Sequence, residues 1–428
     1  MQSGIKTGGA PARVLLIAYH FPPIRGSSGI QRTLRFAQHL PKYGWEPIVL
    51  TIDPRAYPDA ASSAGNEIPA GLEVHRAFGL DTARQLRVFG RYPGFLAVPD
   101  RWRTWATWAI PKAMELVRQR RIDVIWSTFP IATAQRIGLE AARRSGLPWV
   151  AEFRDPMWQG SYPPDPKVNR AFKLLEAQTV ERANAVVMTT PSALDQYRKR
   201  FAALPAERFV MIENGFDEET FRRAEASAGT PDRAPEPGAA PLVLLHSGLV
   251  YRSERDPTAL FDALALLKGE GRLGPADLRI VLRASGNETE YAAMLRERRI
   301  EDLVSLVPGL EYLAALREML SVDALLLMQA ANCNAQIPAK LYEYVRAGRP
   351  VLALTDPAGD TARTLRRLRV GTIARLESAE EIRQALPAFL AEVRAGRAAR
   401  PAIEAVRSCS RESQAGELAG LLDRVTGR

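Results

Sequence analysis

Glu343 lies in the segment QIPAKLYEYVRAGRPVLAL, residues 336–354, between a helix-breaking residue and a buried strand. Pro338 suits the first turn of a helix, and the free backbone N–H groups of that turn favour phosphate. We predict a helix over 339–347 that ends at Gly348, followed by an apolar parallel strand. Glu343 would then lie about one turn inside a helix whose N-terminus can face a diphosphate. A routine helix with a solvated glutamate fits these residues as well.

Strands and helices alternate along the chain, which is typical of parallel α/β architecture. The expected strands are 14–18, 47–52, 123–128, 149–153, 185–189 and 209–212 in the first half, and 242–246, 277–282, 304–307, 324–328, 350–354 and 370–373 in the second. Pro, Gly and Ala interrupt all periodicity between the two halves, which predicts a linker. We therefore expect a first domain over 1–223, a linker over 224–241, a second domain over 242–409 and an amphipathic helix over 410–428.

A glycine-rich loop follows the first expected strand and includes Gly26 and Gly29. Its backbone can approach a ligand immediately ahead of a helix N-terminus. The loop lacks the Gly-x-Gly-x-x-Gly pattern and the acidic residue about twenty positions later, which argues against a nicotinamide dehydrogenase. A purely structural loop is the alternative.

The sequence AEFRDPMWQG, residues 151–160, follows the fourth expected strand. Residues at the carboxyl ends of parallel strands line the ligand crevice of such sheets, so Arg154, Asp155 and Trp158 are placed to meet a substrate. Asp155 can accept a hydrogen bond from a hydroxyl group. It can equally pair with Arg154 or cap the following turn.

These motifs, together with MIENGFDEETF at 211–221 and the Ser285-Gly286 turn, resemble retaining glycosyltransferases of family 4 in their order along the chain. The resemblance runs from Val14 to about Val425. It implies the α/β fold called GT-B, in which two Rossmann-like parallel-sheet domains face a central cleft and the last helix crosses back to the first domain. It also implies a retaining hexosyltransferase that moves a sugar from a nucleoside-diphosphate-sugar to a glycan or lipid-linked acceptor. The nucleotide-sugar is then a substrate, and neither a cofactor nor a metal ion is expected.

The same resemblance assigns roles to individual residues. Glu343 would hold the nucleotide ribose, and Arg252, Arg255 and Lys340 would face the donor diphosphate. The residues expected to be catalytic are Asp155, Arg252 and Lys340, and those expected to bind the nucleotide-sugar are Gly26, Gly29, Arg255, Gly286, Pro338, Leu341 and Glu343. Ala335 stands where the family has a further glutamate, so no role transfers to that position.

Two other classes remain open at this stage. A nucleotide-sugar epimerase of the same shape would need acid and base groups, whereas the chain has only four histidines. A non-catalytic sugar-nucleotide binder is favoured by Ala335.

Composition places few further limits on function. Hydrophobic residues make up 46% of the 428 residues and charged residues 25%, as in ordinary globular proteins. The net charge of +10 suits polyphosphate ligands or an anionic membrane surface, and no nucleic-acid-binding signature accompanies it. Cys333 and Cys409 are the two cysteines and have no metal-binding spacing, so a cytoplasmic location is expected. A cytoplasmic protein of this kind can also associate peripherally with the inner membrane face, because the net charge is positive and Trp102, Trp105 and Trp108 share a helical stripe with basic residues. Such a stripe can instead line the core or an acceptor groove.

Overall fold

The computed structural model describes residues 11–24, 28–57, 68–92, 94–227 and 240–428, and within them the chain forms two α/β units. The first unit runs to Asn214 and also includes Arg411–Arg428, whereas the second is Gly215–Ser410. The first unit thus ends nine residues before the boundary expected at 223, a difference that follows from the packing of one helix described below. Most of the expected linker, residues 228–239, lies outside the described residues.

In the first unit, seven strands of the described residues form a parallel sheet in the order β3-β2-β1-β4-β5-β6-β7. The strands are β1 (Ala12–Ile17), β2 (Trp45–Ile52), β3 (Glu73–Ala77), β4 (Val124–Thr128), β5 (Trp149–Phe153), β6 (Ala185–Met188) and β7 (Phe209–Met211). The helices are α1 (Ser28–His39), α2 (Thr82–Gln85), α3 (Trp105–Arg120), α4 (Ala132–Ser145), α5 (Pro166–Arg182), α6 (Pro191–Arg200) and, from the end of the chain, α16 (Arg411–Thr426).

Both faces of this sheet are buried, which explains why its central strands are almost continuously apolar. Strand β3 differs because it lies at the sheet edge and its sequence, EVHRA, is only half-buried. The expected strands did not include it, since its polar residues hide the apolar signal.

Helix α16 packs on the first unit through Leu418, Leu421 and Leu422, which are all buried. The indole Nε1 of Trp45 also donates a hydrogen bond to Asp423 Oδ1 over 3.0 Å. The last helix therefore belongs to the core of the first unit although the second unit precedes it in the chain.

In the second unit, six strands of the described residues form a parallel sheet in the order β10-β9-β8-β11-β12-β13. The strands are β8 (Leu242–Ser247), β9 (Leu278–Arg283), β10 (Val304–Val307), β11 (Ala324–Met328), β12 (Val351–Leu354) and β13 (Thr372–Ala374). The helices are α7 (Glu218–Ala226), α8 (Arg252–Arg255), α9 (Thr258–Gly269), α10 (Glu288–Arg298), α11 (Tyr312–Ser321), α12 (Lys340–Ala347), α13 (Asp360–Leu368), α14 (Ala379–Arg394) and α15 (Ile403–Ser408).

Helix α7 joins this second unit because its apolar face packs there. Phe221 and Ala224 are buried in a cluster with residues of α11 and α12. On α12, the Arg346 guanidinium binds Glu218 over 2.7 Å and Glu225 over 2.9 Å, so both ends of α7 are fixed by ion pairs. Among the described helices, none combines the length and the apolar composition of a membrane-spanning segment.

Candidate functional site

The centre of the candidate site in the second unit is a lysine that contacts a buried histidine. Lys340 begins α12, and its Nζ lies 3.3 Å from Nε2 of His246, near the carboxyl end of β8. The other ring nitrogen, Nδ1, lies 2.9 Å from the Leu326 carbonyl oxygen of neighbouring β11. Because a carbonyl only accepts, Nδ1 carries the proton and Nε2 accepts from Lys340.

The charges of this pair are strongly affected by their surroundings. Burial, reinforced by the charge of Arg255, lowers the pKa of Lys340 to about 7, although Glu343 acts in the opposite direction. Burial, with Lys340 as the next cause, holds the pKa of His246 well below its ordinary value. The histidine is therefore neutral near pH 7, and the lysine is an amine close to its own midpoint that an arriving anion would charge.

Arg255 supplies a second cation beside Lys340. It ends the short helix α8, and its side chain is only 17% exposed. Its guanidinium lies 5.5 Å from the centre of the Tyr251 ring and 3.7 Å from a carboxylate oxygen of Glu254. Its Nε is buried without a hydrogen-bond partner among the described residues. A phosphate oxygen is the kind of acceptor that such a fork accommodates.

Two glycines let the backbone close around these cations. Gly248 has φ +110°, and a Cβ at this position would lie 3.1 Å from Lys340 Nζ. Gly286 has φ +88°, and a Cβ there would lie 2.8 Å from the side chain of Leu249. The turn after β8 is tied to the strand β9 and its loop, because Gly248 N–H donates to Arg283 and Val250 N–H to Ser285. Gly286, expected from the sequence, therefore supports the turn that covers Lys340.

Glu343 lies in the first turn of α12, at the same edge of the sheet. Its Oε1 accepts a hydrogen bond of 2.7 Å from the hydroxyl of Tyr312, which begins α11. Pro338 precedes the helix, and its carbonyl accepts from the N–H of Leu341 over 2.9 Å. The Leu341 side chain is fully buried in the core, so it can position the helix but has no free surface for a ligand.

Arg252 lies at the start of α8, and the structure places it in a surface ion-pair network. It binds Glu290 over 2.8 Å and Asp256 over 3.3 Å, with its side chain half-exposed. The charges of Arg255 and Glu343 both act on the pKa of Lys340, which brings these three residues together. Arg252 is held instead by Glu290 and Asp256.

The loop ahead of α12 is fixed by a buried glutamine that the sequence did not single out. Gln329 follows β11, and its amide donates 3.0 Å hydrogen bonds to the carbonyls of Cys333 and Gln336. Within the loop, Asn334 donates to Asp356 over 2.5 Å. Ala335 lies in this same short segment, so the loop keeps its shape without an acid at position 335.

In the first unit, a second group of polar residues lies at the carboxyl ends of β1 and β5. His20 follows β1, and burial together with the Arg154 charge lowers its pKa to about 4. Arg154 follows β5, and burial lowers its pKa despite the neighbouring Asp155. Burial raises the pKa of Asp155, although the charge of Arg154 acts to lower it. A carboxylate with a raised pKa is a better proton acceptor, which suits contact with a hydroxyl group.

A buried ion pair beneath this group was missed from the sequence. Arg32 of α1 donates from Nε and Nη2 to Glu152 of β5, each over 2.9 Å. Its two Nη atoms also donate to the carbonyls of Glu213 and Ile212, while Glu152 accepts a further bond from Thr128. Glu152 immediately precedes the FRDP motif. A charged residue within an otherwise apolar strand could have indicated that a buried cation pairs with it.

The other positions singled out from the sequence are the two glycines of the first loop and the three tryptophans. Gly26 lies outside the described residues, and Gly29 is buried in the first turn of α1. Of the three tryptophans, Trp105 is fully buried, Trp102 precedes α3 and packs 4.4 Å from the Tyr19 ring, and Trp108 is half-exposed against Phe78. The three do not form one exposed stripe, because the helix begins only at Trp105.

The comparisons with known proteins agree on the type of fold. Residues 28–215 match the model of a family described as "Glycosyl transferase 4-like domain". A comparison of the sequence with curated proteins found no match.

Solved structures extend the likeness to both units. Sucrose-phosphate synthase from Thermosynechococcus elongatus is 16% identical, with a TM-score of 0.62 and 97% of this chain and 99% of that chain covered. Anabaena Alr3699/HepE, in complex with UDP-glucose, is 14% identical, with a TM-score of 0.59 and coverages of 97% and 100%. A UDP-N-acetylglucosamine 2-epimerase is also 14% identical, with a TM-score of 0.56 and 98% of both chains covered. The chain therefore has the GT-B fold of two Rossmann-like parallel-sheet domains, and its first unit matches the glycosyl transferase 4-like domain.

Proposed function

We propose that the protein is a glycosyltransferase that moves a hexose-type sugar from a nucleoside-diphosphate-sugar to a glycan or lipid-linked acceptor with retention of configuration. The observation that carries the proposal is the position of Lys340, 3.3 Å from neutral His246 and beside Arg255, under a turn that only glycine allows. Arg255 lies close enough to Lys340 for its charge to lower the pKa of the lysine, and an arriving anion would restore the charge of Lys340. The two side chains together therefore suit a doubly charged ligand. A diphosphate has that charge.

Lys340 and Arg255 would bind the diphosphate oxygens of the donor. As the glycosidic bond breaks, negative charge grows on the leaving diphosphate, and these two cations stabilise it more strongly than they stabilise the ground state. Glu343 would accept hydrogen bonds from the two ribose hydroxyls, displacing or sharing its contact with Tyr312. In this scheme the diphosphate is neutralised by side chains, so neither a metal ion nor a cofactor takes part.

The first unit would supply the acceptor site. Asp155, with its raised pKa, would accept the hydrogen bond of the acceptor hydroxyl that attacks the sugar. The match of residues 28–215 to a glycosyl transferase 4-like domain supports this assignment. We place the reaction in the cytoplasm, in keeping with two buried thiols and no disulfide among the described residues.

UDP-sugars are the first donors to test, because one related structure holds UDP-glucose. The purified protein is incubated with each donor, with and without candidate acceptors, and both free nucleoside diphosphate and the sugar are followed. We expect nucleoside diphosphate to accumulate in step with a glycosylated acceptor. Interconversion of the donor sugar without acceptor would show an epimerase instead, and tight binding with no turnover on any acceptor would show a non-catalytic binder.

Lys340→Met tests the site and Lys268→Met is its matched control, since Lys268 pairs with Asp302 on the same unit. We expect turnover to fall at least about 100-fold only in Lys340→Met, as for the loss of one charged transition-state donor. Proton NMR of the first-formed product would then give the anomeric configuration. An inverted product would refute retention while leaving the donor site intact.

A further inference from the structure

The most exposed apolar side chains of the first unit lie close together in one short segment. Phe89 is 101% exposed, Phe95 67% and Val88 65% relative to their reference areas, and Tyr92 is also exposed. We call the residues Arg87, Val88, Phe89, Arg91, Tyr92 and Phe95 the tip surface. Large side chains grouped in this way mark an interaction surface more often than a random feature of a soluble face.

The exposure is built into the backbone. Val88 and Arg91 exchange two backbone hydrogen bonds of 2.8 and 3.0 Å, which forms a tight turn with Phe89 at its corner. Phe89 has φ +47°, in the left-handed region that a bulky residue rarely adopts. Thr82 holds the far side of the segment by donating to the Leu96 carbonyl over 2.9 Å. The fold therefore accepts backbone strain to hold a phenylalanine in solvent.

Two arginines give the tip surface a positive charge. Neither Arg87 nor Arg91 has an ion-pair partner among the described residues. The two nearest carboxylates in sequence are already engaged: Asp81 is bound by Arg101, and Asp100 accepts two hydrogen bonds from Thr133. The surface thus combines exposed aromatic rings with two exposed arginines in one short segment.

We propose that the tip surface docks the protein on an anionic lipid bilayer. An apolar tip alone would fit many partners, but a bilayer of anionic lipids satisfies both parts of this surface at once. Phe89, Phe95 and Val88 would enter the boundary between headgroups and acyl chains, while Arg87 and Arg91 would bind lipid phosphates. Tyr92 suits the same depth, since its ring is apolar and its hydroxyl polar.

The segment that carries the tip surface returns to the proposed acceptor side of the first unit. The ring centroids of Trp102 and Tyr19 lie 4.4 Å apart. Tyr19 follows β1 at the carboxyl ends of the strands, where His20 and Asp155 also lie. Seven positions separate Phe95 from Trp102, so the chain leads directly from the tip surface to this end of the sheet. The docking itself does not depend on the proposed transfer reaction, and it is tested without donor or acceptor.

Vesicles of phosphatidylcholine alone or with 30% phosphatidylglycerol provide the test, using the full-length protein and co-sedimentation. We expect binding to the anionic vesicles only, weakened by salt. Arg87→Gln/Arg91→Gln should bind about 30-fold more weakly, at about 1 kcal/mol for each basic residue near the surface. Phe89→Ser/Phe95→Ser should lose at least about 10-fold, because each ring leaves an apolar environment.

The controls match charge, exposure and domain. Arg143→Gln/Arg170→Gln removes the same charge from exposed positions of the first unit, and Leu174→Ser removes an exposed apolar side chain. Both should bind like the unchanged protein. Equal binding to neutral and anionic vesicles, or equal losses in the control variants, would overturn the proposal.

A labelled variant gives a readout that does not rely on loss of binding. Both native cysteines are buried, so a polarity-sensitive dye on Phe89→Cys labels the tip, with Leu174→Cys as the comparison. We expect a blue shift with anionic vesicles only for the dye at position 89. If instead the tip variants abolish self-association in the absence of vesicles and the dye does not respond to lipid, a second copy of the chain covers this surface and the lipid proposal is wrong.

Discussion

The donor site should take up a proton when a nucleoside diphosphate binds. Burial and the Arg255 charge lower the pKa of Lys340 to about 7, so about half of the free protein carries an uncharged lysine at pH 7. A bound diphosphate favours the charged form, and only that form is competent to bind. The apparent affinity therefore falls with the protonated fraction, about 50-fold between pH 7 and pH 9. The ligand contributes little to this change, because its last phosphate proton is lost near pH 6.

Isothermal titration calorimetry measures this effect directly. Titrations in two buffers of different ionisation enthalpy should show uptake of about half a proton per ligand at pH 7 and nearly one at pH 9. Lys340→Met should bind more weakly at pH 7, with an affinity that changes little up to pH 9. Lys268→Met should keep the full pH dependence. A pH-independent affinity in the unchanged protein, with no proton uptake, would refute the assignment of Lys340 to the diphosphate.

The lowered pKa of Lys340 also makes the stability of the ligand-free protein depend on pH, but stability rises with pH whereas ligand affinity falls. The folded-state pKa lies below the unfolded value, so the unfolded chain binds the proton more tightly and stability rises with pH from about 7 to about 10.5. The cost of burying charged Lys340 is complete below pH 7 and is at most about 5 kcal/mol. Lys340→Met should therefore raise the urea midpoint of the second unit at pH 6, and this gain should shrink as the pH rises. A gain that is independent of pH would show that the lysine is not buried as a charge.

The alternation of strands and helices was sufficient to predict the architecture, because parallel strands with both faces covered leave a simple apolar signal. The edge strand β3 was not predicted, because Glu73 and His75 are polar and one edge of the strand has no neighbouring strand in the described sheet. The extent of the first unit could not be predicted either. Helix α7 follows the MIENGF motif directly. It belongs to the second unit because it is bound by Arg346, which lies more than a hundred residues later in the chain.

The candidate donor site was predicted in part, for reasons that differ between residues. Lys340 and Glu343 share one helical turn, so a local motif was enough to place them together. The partner of Lys340 could not be found in this way. His246 lies on β8, more than ninety residues earlier, whereas Lys340 begins helix α12, and the pairing of β8 with β11 in the sheet helps to bring the two side chains together. Arg252 and Arg255 are three residues apart on one short helix, and only side-chain contacts distinguish them.

Three further predictions test the two units separately. Glu343→Ala should weaken nucleoside-diphosphate binding about 10-fold to 100-fold by leaving ribose hydroxyls unpaired, and Glu343→Gln should lose less; unchanged affinity in the folded alanine variant would make the helix purely structural. Arg255→Gln should reduce affinity and turnover far more than Arg252→Gln, whose guanidinium is already paired on the surface, and the opposite order in the same assay would reverse our assignment. In the first unit, Arg32→Met removes one partner of a fully buried ion pair and leaves Glu152 with an uncompensated charge, which should cost about 3–5 kcal/mol. All seven tryptophans lie between residues 45 and 158, so their fluorescence reports unfolding of this unit alone. Adding Glu152→Gln should recover part of the loss by removing the buried charge, whereas a loss below about 1 kcal/mol in Arg32→Met would mean that water already solvates the carboxylate.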